Sequence, residues 1–264
     1  MRSAGHTGRT VADLTVGRGL QVLRAFRSER TPLTNAELVR RTGLSKATVS
    51  RLTSTLLQLG HLRHQAGSRS FELAAESVLM GHAFIESSEF LQRVQPFMQD
   101  LADRLGVSAA LAVADGLDMM YVAYRASHRV ATLRLGVGTV LPMALTAIGR
   151  AYLWALPAAE QHDLLARMKA QAGDPADALD SALRASFDEL AASGTCCVWG
   201  GYLRDTFGLA LPVRVGRQGV LLGLSCGRAI LRPDLAAERR RVAPVLKQAG
   251  LELQALLADL DGQP

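Results

Sequence analysis

The stretch LTNAELVRRTGLSKATVSRLTSTLLQLGHL, Leu33–Leu62, decides how this chain folds at its start. Thr34, followed three residues later by Glu37, reads as a capping box. The hydroxyl caps the Glu37 amide and the carboxylate reaches back to the Thr34 amide. The spacing predicts a short helix that stops at Gly43, since glycine adopts the left-handed conformation that closes helices. Ser45 then caps a second helix only two residues later. That helix buries Val49, Leu52 and Leu56, spaced 3 and 4, and turns Lys46, Ala47, Ser50, Arg51 and Ser54 outward. Thr48 sits in its exposed first turn. A short helix, a tight glycine turn and a longer helix together read as a helix-turn-helix.

The flanks extend this reading. Upstream, Val16, Leu20 and Leu23 recur at helical spacing, with Val22 and Phe26 alongside, until SERTP (Ser28–Pro32) breaks the pattern. Downstream, Leu62–His64 and Ser70–Leu73 read as two short strands around a Gln-Ala-Gly-Ser turn, with Arg63 and Arg69 beside it. Three helices and such a hairpin make a winged helix-turn-helix. Charge agrees: residues 1–70 hold twelve Arg/Lys against three Asp/Glu, while 71–264 hold eighteen against twenty-one. A basic module joined to a slightly acidic one suits a polyanion-binding domain attached to something else.

A major groove admits such a helix with its N-terminal residues nearest the base edges. Arginine grips guanine with two donors, and threonine contacts a base or a thymine methyl. Acidic side chains would be repelled there, and Ser45–Leu59 contains none. Arg51, Lys46 and Thr48 are therefore the expected base readers. Ser45, Thr34, Asn35, Arg63 and Arg69 are expected to position the phosphate backbone. Ala47 and Ser50 complete the exposed face.

Thr42-Gly43-Leu44 and Thr48-Val49-Ser50-Arg51-Leu52 match, residue by residue, the turn and recognition helix of the IclR-type (isocitrate lyase regulator) bacterial transcription factors. The likeness runs from about residue 15 through PMALTAIGRAYL and SCGRAILRPD. It implies a repressor or an activator that binds double-stranded operator DNA as a homodimer or homotetramer, with a small-molecule effector.

The remaining chain reads as an α+β domain. AAESVLMGHAFIESSEF is a helical linker, and Phe90–Leu105 an amphipathic helix closed by Gly106. SAALAVA and LDMMYVAY flank Asp115-Gly116 as a hairpin. A third strand is expected near Val130–Leu135, helices at 146–156, 158–170 and 178–193, and a strand from Gly194. Strands at Leu209–Val215 and Val220–Ser225 and a helix from about Pro233 to Leu260 follow. The organisation expected is a flexible N-terminus (1–14), a winged helix-turn-helix (15–74), a linker helix (75–89) and a GAF-like antiparallel sheet flanked by helices (90–264), the last an expectation from the resemblance.

Composition excludes other classes. At 48% hydrophobic and 20% charged the chain is globular. Its apolar runs fall short of the roughly 20 residues a bilayer needs, and MRSAGHTGRT opens without a secretory h-region. Three cysteines, an odd number, argue against a disulfide framework and fit the cytoplasm. No cofactor or enzyme motif emerges. The third glycine of a dinucleotide fingerprint is replaced by Leu141, and His61 and His64 lack cysteine or acidic partners for a metal.

The resemblance also places an effector pocket. Its glycine-alanine helix start falls at Ala147 and Ile148, and its acidic pair at Val198 and Trp199. Its cysteine falls at Gly208, and its two serines at Gly223 and Ser225. With the acids gone, the expected pocket is roomy and apolar, built for an organic or aromatic acid, with Trp199 stacking or acting as a lid. Arg134, Arg150 and Arg204 are candidates for a carboxylate. Two rival readings are an effector-independent DNA-binding protein whose C-terminal domain only oligomerises, and a redox sensor or enzyme using Cys196 or Cys197.

Overall fold

The computed structural model describes residues 11–26, 31–130, 135–172 and 176–261. The chain forms two compact units, 1–87 and 88–264. The first holds helices α1 (Val11–Arg24), α2 (Asn35–Thr42) and α3 (Lys46–Gln58), strands β1 (Leu62–His64) and β2 (Phe71–Leu73), and helix α4 (Glu76–Ser87). Most of the expected flexible N-terminus, 1–14, lies outside the described residues.

The caps form largely as the sequence dictates. Thr34 Oγ1 accepts from the Glu37 amide (3.2 Å), and Gly43 closes α2 at φ 67. Ser45 Oγ accepts from the Thr48 amide (3.2 Å). The capping box is only half made, because the Glu37 carboxylate turns away and accepts from Arg40 and Arg41. Arg41 also donates to the Ala25 carbonyl (3.1 Å), which pins α2 to the end of α1. Val22, Leu38, Val49, Leu52, Leu56 and Phe71 are core residues of this unit.

α1 departs from the expected pattern. Its second half buries Val22, and Ala25 just past its end is buried too, whereas Val16 is 66% exposed and Leu20 50% exposed. Helical spacing identifies an apolar stripe but not what covers it. α4 likewise buries none of its residues within its unit.

The second unit begins where Ser88 caps α5 (Glu89–Leu105). Strands β3 (Ser108–Asp115), β4 (Asp118–Ala126) and β5 (Val140–Pro142) follow, then a 3-10 turn (Met143–Leu145). Helices α6 (Ala147–Trp154), α7 (Ala158–Ala172) and α8 (Ala176–Ser193) come next. Strands β6 (Cys196–Trp199), β7 (Thr206–Val215) and β8 (Val220–Ala229) precede the last helix, α9 (Leu235–Leu256). All six strands form one antiparallel sheet in the order β5-β4-β3-β8-β7-β6. The third strand described is Val140–Pro142, within the glycine-rich stretch; the one expected near Val130–Leu135 falls largely outside the described residues. Val130 lies in a turn, and 131–134 are outside the described residues. Helix α6 packs on β7 and β8, and α5 and α9 pack on the sheet. Among the described residues no helix is long and apolar enough to cross a membrane.

Hydrogen bonds from Arg40 and Arg41 hold the Glu37 pKa down, from 4.5 to about 2. A depressed carboxylate stabilises the folded unit fully above its unfolded pKa, and that contribution is lost as pH falls toward 2. Glu37→Gln should therefore lower hydrogen-exchange protection of the α2 amides near pH 6. The difference from the parent should close progressively below about pH 4.5.

Candidate functional site

Helix α3 divides its side chains by the 3.6-residue repeat. Val49, Leu52, Thr53 and Leu56 are buried, while Lys46, Ala47 and Arg51 are exposed near its N-terminal end. Most of the hydroxyls on this donor-rich helix are already engaged. Thr53 donates to the Val49 and Ser50 carbonyls, Ser54 to Ser50 and Thr55 to Arg51. Ser45 and Thr48 share a hydrogen bond of 2.9 Å. Asn35 Nδ2 donates to Ser50 Oγ (2.9 Å), so these two candidate DNA contacts first of all clamp α2 to α3. Thr34 is spent as a cap. The strong donors left exposed on the outer face of α3 are Lys46 and Arg51.

The wing closes through Gln65, whose amide donates to the Ser70 carbonyl (2.9 Å). Arg63 pairs across the strands with Glu72 (2.9 Å), which offsets its charge. Arg69 is exposed on the turn. The ring of His64 packs on Phe71, and His61 lies against Ser77. Among the described residues no group of three His, Cys, Asp or Glu could hold a metal.

The second unit contains a cavity of about 590 Å³, counting its open mouth, between α6 and the sheet. Strand register explains it. Ser108 lies opposite Gly227, Gly227 opposite Gly208, and Gly208 opposite Val198. Ala110, Ser225 and Ala210 form the next row on the same face. Side chains this small leave the sheet face hollow beneath the start of α6. Ala147, Ile148, Gly208 and Ser225 line the cavity as expected from the sequence, and Tyr202 and Leu203 border it from the following loop.

Two expected lining residues lie elsewhere. Successive strand residues point to opposite faces, so Val198 enters the cavity and Trp199 does not. Trp199 is 43% exposed and donates from Nε1 to the Ile230 carbonyl (3.3 Å). Gly223 sits beneath Ile148: a Cβ there would lie 2.5 Å from Ile148 Cγ1, so glycine is what lets α6 approach the sheet.

The tyrosines Tyr121 and Tyr124 line the cavity, although nothing in the sequence reading marked them. Three residues apart, they would face opposite ways in a regular strand. A bulge pairs Tyr124 with Ala110 and Tyr121 with Ala112, bringing both onto one face. Their rings stack with centroids 6.0 Å apart and 13° between planes.

Neither Arg150 nor Arg204 lines the cavity. Arg150 is buried and donates to the Ala144 and Ala182 carbonyls and to Ser186 Oγ. Arg204 is exposed, and Arg134 lies outside the described residues. The cysteines are free thiols, with Cys196 and Cys226 buried and Cys197 partly so. Cys196 Sγ donates to the Ala147 carbonyl (3.3 Å), and burial pushes its pKa up to about 12. Burial also raises Cys197, with Arg239 opposing. A buried thiol held protonated is a poor nucleophile.

The glycines offer a clean contrast. Gly223→Ala should cost about 1–3 kcal/mol by overpacking α6. Gly208→Ala, whose Cβ would sit 3.6 Å from the nearest atom, Ala147 Cβ, should change stability by less than about 1 kcal/mol. Both tryptophans, Trp154 and Trp199, lie in the second unit, so urea unfolding followed by their fluorescence measures this directly.

Comparison with known proteins places these features in a family. Residues 15–66 match the IclR helix-turn-helix domain, and 82–255 match the bacterial transcriptional regulator IclR C-terminal domain. The chain is 30% identical over 245 residues to the HTH-type transcriptional regulator TsaQ1/TsaQ2 of Comamonas testosteroni, covering 91% of this chain and 87% of that one. It is 28% identical over 241 residues to the Pca regulon regulatory protein of Pseudomonas putida, covering 90% and 82%. An IclR family transcriptional regulator from Brucella abortus superposes with a TM-score of 0.82 at 30% identity, covering 92% of both chains. The chain therefore belongs to the IclR family of DNA-binding bacterial transcriptional regulators.

Proposed function

We propose that this regulator binds a two-fold operator in double-stranded DNA as a homodimer or a dimer of dimers, and that a small-molecule effector in the α6 cavity controls that binding. The observation that carries the proposal is the division of labour on α3. Its inner face is consumed by the core, and its hydroxyls are largely consumed by one another. Lys46 and Arg51 remain exposed near its N-terminal end. A helix inserted into the major groove presents that end to base edges.

Arg51 and Lys46 read bases, with Ala47 and Thr48 against thymine methyl groups. Arg69 at the wing meets phosphate. Arg63 adds less, since Glu72 shares its charge. Asn35 and Ser50 set the angle between α2 and α3, and through it the pose of the reading face. A symmetric pair of such heads reads half-sites about one helical turn apart. The hollow, largely apolar cavity supports an aromatic effector. An effector acts by binding better to one of two states of the dimer.

The test is an anisotropy titration on an operator selected from random duplexes. Arg51→Ala should lose about 1–3 kcal/mol of specific binding and relax preference at one base position. Arg69→Ala should weaken all sequences alike and reduce the salt slope by about 1. An unchanged sequence preference in Arg51→Ala would refute the base-reading assignment.

A further inference from the structure

Resting on the reading of the cavity as an effector site, we infer that its ligand is an uncharged phenol, with the ring among the apolar walls and the hydroxyl buried against Tyr124. None of the described residues lining the cavity is charged. The buried arginine on α6, Arg150, is engaged by two carbonyls and a serine hydroxyl. A carboxylate at the buried end would lose its hydration and meet no cation among the described lining residues, which is penalised.

The polar groups of the cavity floor are hydroxyls. Ser225 sits beside the Tyr121 hydroxyl, and Ser108 beside that of Tyr124. Ser108 Oγ is already committed, donating to the Gly227 carbonyl at 2.8 Å. The Tyr124 oxygen is buried and, apart from the neighbouring Ser108 hydroxyl, has no described hydrogen-bond partner. A buried polar atom without a partner is costly, and a ligand atom that supplies the partner removes that cost. A phenolic oxygen offers both a donor and an acceptor. A ligand hydroxyl can therefore either donate to the Tyr124 oxygen or accept its proton, whereas a carbonyl can only accept. Burial raises the pKa of both tyrosines, and the same surroundings keep a bound phenol protonated.

The walls fit a ring. Leu141, Leu145, Ile148, Val198 and Phe207 line the cavity.

Isothermal titration of the full chain at pH 7.5 with 4-methylphenol, toluene and benzoate tests the inference. At that pH 4-methylphenol is neutral and benzoate is ionised. We expect 4-methylphenol to bind at least tenfold more tightly than either of the others. Tyr124→Phe should lose about tenfold for 4-methylphenol while toluene affinity holds, since a purely structural defect would weaken both. Tighter binding of benzoate, equal loss of both probes in Tyr124→Phe, or no saturable binding of 4-methylphenol would each overturn the inference. The broader effector reading fails by a different result: 4-methylphenol binds as stated, yet operator affinity at saturation is unchanged.

Discussion

The approach of helix α6 to the sheet is the constraint on which the sensing unit depends. Gly223 lets Ile148 settle against β8, and no larger residue would permit that distance. Once the helix is seated there, the neighbouring rows of the sheet decide whether the space beside it is filled. Ser108, Ala110, Gly208 and Gly227 supply too little volume to fill it. The result is a hollow at the N-terminal end of α6, where packing elsewhere in the unit is dense. A well-packed interior rarely leaves such space without a use for it. The hollow is thus a consequence of register and residue size together.

The reading unit is governed by an economy of hydrogen bonds. Short polar side chains on a helix compete for their own backbone, and here Thr53, Ser54 and Thr55 bond back to carbonyls one turn earlier. Asn35 and Ser50 join two helices, and Ser45 and Thr48 build a cap. These bonds fix the shape of the outer face of α3 and leave its longest cationic side chains, Lys46 and Arg51, exposed. Glu37 plays the matching part on α2, drawing Arg40 and Arg41 onto the helix so that Arg41 can reach α1.

Much of this was legible in the sequence where the signal is local. The Thr34 and Ser45 caps, the Gly43 turn and the spacing of Val49, Leu52 and Leu56 each act within one helical turn, and α2 and α3 follow from them. The Asp115-Gly116 turn placed the β3–β4 hairpin in the same way. What escaped was long-range. The bulge that aligns Tyr121 with Tyr124 depends on pairing with β3, so no pattern within β4 reveals it. The burial of Val22 in place of Val16 and Leu20 depends on which neighbours α1 meets. Trp199 was a different kind of miss. Strand alternation, already visible in the sequence, separates it from Val198, and only the phase was lacking until β6 was paired with β7.

The proposed function assigns operator reading to α3 and effector binding to the α6 cavity, and it requires that the two be thermodynamically coupled. Coupling of this kind is reciprocal and typically amounts to about 5–150-fold in affinity. The most direct measurement is the operator dissociation constant of the full chain with and without saturating 4-methylphenol, together with the 4-methylphenol dissociation constant with and without operator. The account predicts that both change by the same factor, at least about fivefold. Two unchanged affinities, with ligand and operator each bound, would contradict it.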